Sequence, residues 1–157
     1  MLPNDVMRSV RYLLDLADDH VVQLIHLSDP QFAVDKAQVQ AWLRKDDEEG
    51  YVEAPDGALA HFLDGLVIEY RGPRTDGAPR VVEKRLTNNA VLKKLRVAFE
   101  LKDVDMHETF VAAGFPLSKP ELSALFRLPG HNNYRACGDQ VLRNFLKGLA
   151  LRNRSAD

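Results

Sequence analysis

Residues Asp139-Gln140-Val141-Leu142-Arg143-Asn144-Phe145-Leu146-Lys147-Gly148-Leu149 place apolar side chains at 142, 145, 146 and 149. That i, i+3, i+4, i+7 stripe belongs to a helix laying one face on a core. Eighty-three residues earlier, Leu59, Phe62, Leu63 and Leu66 repeat the spacing behind Asp56, and Gly65 repeats Gly148. Glycine inside a helix is about 1 kcal/mol worse than alanine. Its recurrence therefore predicts a second backbone lying close at both positions.

The match extends outward in both directions. At an offset of 85, Asn4, Val6, Arg11, Leu16 and Asp18 fall on Asn89, Val91, Arg96, Leu101 and Asp103. The offset becomes 83 once the first copy has spent two extra residues near Asp29-Pro30, and Ala41, Arg44 and Tyr51 then fall on Ala124, Arg127 and Tyr134. Each copy reads as four helices. The first lies near 4–16 and 89–101, with Asn4 and Asn89 as candidate caps. The second lies near 19–27 and 104–113, with Gly114 as a stop. The third opens on Asp35 and Gln38, or on Ser118-Lys119-Pro120-Glu121, a capping box with proline in the first turn. The fourth starts at candidate caps Asp56 and Asp139. Arg80-Val81-Val82 is the one strand-like run and is too short to count. The expected fold is all-α: two tandem copies of a three- to four-helix unit, packed as a pseudo-symmetric helical protein. Residues 1–71 form an acidic repeat, 72–80 a linker rich in Gly and Pro, and 81–157 a basic repeat.

The charge is divided unevenly. Residues 1–71 hold 6 Lys/Arg against 14 Asp/Glu, and the remaining 86 hold 15 against 9, although the chain's net charge is only −2. Either the halves attract each other or the basic half meets an anion. A single cysteine gives no internal disulfide. The N-terminus lacks the basic and apolar regions of a signal peptide, and no run approaches the ~18 apolar residues of a membrane span. The expected setting is the cytoplasm, with no membrane partner.

Catalytic chemistry finds little support. Cys137 with His131 is the one nucleophile–base pair to consider, but no third orienting group accompanies it. A buried, inert thiol is the expectation, and no enzyme activity is expected. The five histidines show no paired helical spacing, so no metal site is expected. Asp46-Asp47-Glu48-Glu49 lacks the alternating ligands of a calcium loop. No glycine-rich phosphate loop is present, and no cofactor is expected. Arg11 with Asp15, and Arg96 with Glu100, stand at i, i+4 in the weaker order. A pairing between helices is the expected reason for those arginines, and for Arg44 and Arg127.

The second copy carries a distinctive surface. His131, Asn132, Asn133, Tyr134 and Arg135 form a polar loop where the first copy has Glu48, Glu49, Gly50, Tyr51 and Val52. Gln140, Arg143, Asn144 and Lys147 make the polar face of the following helix, where the first copy has Gly57, Ala60, His61 and Asp64. Lys119 and Arg127 stand on and just beyond the third helix.

Asn88 to Arg96, Leu101-Lys102-Asp103 and the run from Ser118 to Leu149 resemble the YehS family of uncharacterised bacterial proteins, which carry two copies of a domain of unknown function. The resemblance covers essentially the whole chain. It implies the duplication and a bacterial setting, and brings no activity, cofactor or site residues. Three functions compete. A regulatory or binding module would touch nucleic acid through the basic repeat, where residues 104–113, a turn and the helix from Ser118 have helix-turn-helix spacing. An interaction or scaffold module would bind protein, or a second copy through its acidic and basic halves. An enzyme using the His131–Cys137 segment ranks last.

Overall fold

The computed structural model describes residues 1–77 and 83–155, without the side chains of 154 and 155. Arg80-Val81-Val82 and the end of the expected linker lie outside these residues. Among the described residues there are eight helices and no strand: α1 Pro3–Leu14, α2 Asp18–Ser28, α3 Lys36–Trp42, α4 Ala58–Arg71, α5 Asn88–Ala98, α6 Asp103–Ala112, α7 Lys119–Leu125 and α8 Asp139–Ser155. They form two compact units, residues 1–86 and 87–157. Residues 83–86, which the sequence placed at the head of the second repeat, group with the first unit. There the Lys84 carbonyl accepts from the Gly57 N–H at 3.0 Å.

Within unit one, Val6, Met7 and Val10 of α1 are buried with Val21, Leu24 and Ile25 of α2 and Phe62, Leu63 and Leu66 of α4. Unit two repeats the pattern with Val91, Leu92 and Leu95, then Met106 and Phe110, then Leu142, Phe145 and Leu146. Burying such side chains contributes roughly 1.5–3 kcal/mol each, which holds short helices that would be marginal alone.

The paired glycines behave as expected. A Cβ on Gly65 would fall on the carbonyl oxygen of Leu24, and one on Gly148 on that of Thr109. So α4 crosses α2, and α8 crosses α6, backbone against backbone. Both capping boxes form: Asp35 with Gln38, and Ser118 with Glu121.

Three expectations need correction. Asn4 and Asn89 are not caps. α1 begins with Pro3, α5 is capped by Thr87, and both asparagines lie inside their helices. Asn4 is fully buried; its Nδ2 donates to the carbonyls of Trp42 (3.0 Å) and Val52 (2.9 Å), and its Oδ1 accepts from the Ala54 N–H (3.0 Å). Asn89 makes the same set with Leu125, Arg135 and Cys137 at 3.0, 2.9 and 2.8 Å. Each clamps the segment after the third helix onto the first helix.

Asp56 and Asp139 do not cap the fourth helices as expected. Gly57, with φ of 87°, precedes α4 with no side-chain cap bond. Asp139 is already inside α8, and its carboxylate accepts from Asn88 Nδ2 at 2.8 Å.

The face of Gly57, Ala60 and His61 is not a solvent face. All three are buried. The segment with the two extra residues packs there: Asp29 Oδ2 lies 3.5 Å from His61 Nε2, and the Phe32 ring lies 4.7 Å from the His61 ring.

Asp15 and Glu100 have a role that spacing alone concealed. They are the two non-glycine residues with positive φ among the described residues, at 52° and 53°. Each ends the first helix of its unit in the left-handed conformation. Arg11 and Arg96 reach past them to the start of the next helix, to Asp18 at 3.1 Å and Asp103 at 2.7 Å. They also donate to the carbonyls of Leu16 and Leu101. The pairing between helices expected of these arginines is therefore present.

Candidate functional site

In unit two the chain leaves α7, turns through Gly130, and comes back alongside the helix. The Arg135 N–H donates to the Ala124 carbonyl at 3.1 Å, and the Asn89 clamp holds the Arg135 carbonyl. Between α7 and this returning segment lies a groove of about 840 Å³. Six of the residues singled out above line it: Lys119, Arg127, Asn132, Asn133, Tyr134 and Arg135. Tyr134 is half-buried and the other five are exposed. Arg135 pairs with Glu121 at 3.3 Å, while Lys119 and Arg127 make no ion pair among the described residues. The Ser118 capping bonds, with Arg135 as a smaller contributor, lower the pKa of Glu121. The groove therefore holds one carboxylate against three cations.

His131 sits on the outer bend, its Nδ1 accepting from the Asn133 N–H at 3.0 Å, and does not line the groove. Gln140, Arg143 and Lys147 form a separate exposed row on α8. Asn144, on the same helix, folds its amide onto the Gln140 carbonyl at 2.8 Å. The structure thus divides the candidate residues between a groove and a helix face, with His131 on neither.

Next to the groove is a second opening of about 300 Å³, which spacing did not reveal. Met106, Leu122 and Phe126 supply apolar wall, and the Arg96–Asp103 pair stands at its rim. The Arg96 guanidinium lies 4.7 Å from the centroid of the Phe126 ring, a cation–π distance. Ser123 and Arg127 line both openings.

Cys137 is buried, and burial pushes its thiol up to about 11. Its backbone N–H serves the Asn89 clamp, and its Sγ donates to the Gly138 carbonyl at 3.6 Å. A nucleophilic thiol needs a lowered pKa, so this environment works against one. Among the described residues, no group of three or more His, Cys, Asp or Glu side chains is placed to hold a metal ion. Nor is any helix there long and apolar enough to cross a membrane.

The fold and groove define a class: a tandemly duplicated helical unit, each copy clamped by an asparagine from its first helix. The chain belongs to the family described as "Protein of unknown function (DUF1456)", whose model matches it twice, over residues 3–72 and 88–155. A chain from Escherichia coli (strain K12), "Uncharacterized protein YehS", is 46% identical to it over 153 residues, covering 97% of this chain and 96% of that one. No solved structure matches it significantly.

Proposed function

We propose that this chain is a binding module whose second unit contacts nucleic acid through the α7 groove, in a bacterial cytoplasm. One observation carries the reading: Lys119, Arg127 and Arg135 converge on a single groove beside a tyrosine, and two of the three have no carboxylate partner among the described residues. Phosphate oxygens are the ligand such a surface suits, since cations held on a rigid element position a backbone and nearby amides add hydrogen bonds. The α8 row gives weaker support. Its contrast with α4 arises partly because α4's matched face is covered by the segment around Asp29 and Phe32. A helix-turn-helix docking of α7 is also less well supported, because α7 has seven residues and Lys119 is its one cation. The E. coli relative and the single, buried thiol favour the proposed compartment.

The test is fluorescence anisotropy with labelled single- and double-stranded oligonucleotides at about 50 mM salt, where phosphate contacts are strongest. Lys119→Glu with Arg127→Glu is expected to abolish binding. For the wild type, about three single-strand phosphate contacts give a log–log salt slope of roughly −2. Absence of binding to every nucleic acid would overturn the reading. The rival, self-association through acidic and basic halves, would then be tested by measuring mass in low and high salt.

A further inference from the structure

We infer that the α7 groove and the neighbouring pocket form one site for an unstacked nucleotide of a single strand, and that unit one carries the same surface in a closed form. The inference rests on the nucleic-acid reading above and assigns it a ligand class and a location.

Three matched positions open the site. In unit one, Lys36 lies 3.8 Å from Asp19. Gln40 Nε2 donates to Asp18 Oδ2 at 3.2 Å. Arg44 donates to the Glu49 carbonyl at 2.7 Å, and its guanidinium fills the space that a Cβ on Gly50 would occupy. Cation, carboxylate and guanidinium are all engaged within the unit. At the matched positions unit two has Val104 for Asp19, Ser123 for Gln40 and Asn133 for Gly50. Lys119, the counterpart of Lys36, consequently has no acid paired with it among the described residues. The serine is too short to cover the aspartate, and Asp103 is 77% exposed where Asp18 is 15%. Asn133 brings a side chain where Gly50 has none, and Arg127 lies out in the groove.

The resulting cleft has two chemically distinct parts. The groove offers Lys119, Arg127 and Arg135 to phosphates and the Tyr134 ring to stacking, a combination that serves single strands. The pocket adds a smaller recess of mixed lining, in which Arg96, Asp103, Ser123 and Arg127 share the wall with Met106, Leu122 and the Phe126 ring that Arg96 approaches. At its rim the Asp103 carboxylate, fixed by Arg96, can accept from an exocyclic amino group. A base paired and stacked in a duplex cannot enter such a pocket, so the site selects a single strand carrying an amino-bearing base.

The test uses the full chain with fluorescein-labelled oligocytidylate, oligouridylate and a duplex. Wild type should bind oligocytidylate about tenfold more tightly than oligouridylate, which lacks the amino group, and more tightly than the duplex. The triple variant Val104→Asp, Ser123→Gln, Asn133→Gly installs residues that unit one already carries on the same scaffold. With its thermal melt intact, it should lose at least tenfold in affinity for oligocytidylate. Should that variant unfold, Asp103→Asn on the exposed rim supplies a second measurement and should reduce the cytidylate preference. Equal binding of both homopolymers, or a duplex bound as tightly as a single strand, would overturn this site while leaving a nucleic-acid module standing. So would full single-strand affinity in a folded triple variant. Failure of all three probes to bind would overturn both.

Discussion

Gly148→Ala tests the most demanding contact in the fold. The added Cβ would fall on the Thr109 carbonyl oxygen and within 2.9 Å of Thr109 Cγ2. Neither atom can retreat easily. Thr109 is fully buried, its hydroxyl donates to the Asp105 carbonyl at 2.7 Å, and Arg152 donates to that hydroxyl at 2.9 Å. Overpacking costs about 1–3 kcal/mol, and a rigid backbone neighbour puts this site near 3. Alanine's better helix propensity returns about 1 kcal/mol. The net expectation is a loss of about 2 kcal/mol, or roughly 8–16 °C in Tm for a unit this small. Urea denaturation followed by circular dichroism, with m unchanged, is the assay. A variant as stable as wild type, or about 1 kcal/mol more stable, would show that α6 and α8 do not meet at this point.

Further outcomes follow from the corrected assignments. Asn89→Ala strands two carbonyls and one N–H, and should destabilise unit two by about 3 kcal/mol or more in urea titration. Thr87→Ala should cost about 1 kcal/mol as a lost cap, whereas Asp56→Ala should stay within about 0.5 kcal/mol, since no α4 cap depends on it. Cys137, with its thiol raised to about 11, should alkylate with iodoacetamide about a hundredfold more slowly than an open thiol near neutral pH, and at the open rate in denaturant. Because folding favours the neutral thiol, its contribution to stability is fully present below about pH 9 and is lost as pH rises toward 11. Denaturation midpoints across that range, compared with those of Cys137→Ala, measure the effect.

The duplication was legible because apolar stripes and internal glycines are local signals that survive divergence. Asn4 and Asn89 were misread because an asparagine near a helix start ordinarily caps it. Here each sits inside the helix and reaches a segment some fifty residues on, which no local rule reveals. Asp56 failed for a related reason: Gly57 takes the left-handed conformation at the boundary and displaces the aspartate from the capping position. The polar loop from His131 to Arg135 stood out in the sequence, but its groove depends on the loop folding back along α7. The second pocket was invisible because the exchange of Gln40 for Ser123 matters only through Asp18 and Asp103, and those neighbours are supplied by the fold.

The asparagine clamps also bear on how each unit opens. The amides of Ala54 and Cys137 donate to side chains of the first helix rather than to a neighbouring turn. Fraying of a nearby helix end does not release such a proton; the first and last thirds of the unit must separate. Hydrogen exchange at these two amides should therefore follow global unfolding of their own units and slow to the same limit as the core of α4 or α8. They would serve as built-in reporters of whether the acidic and basic copies unfold together or one at a time.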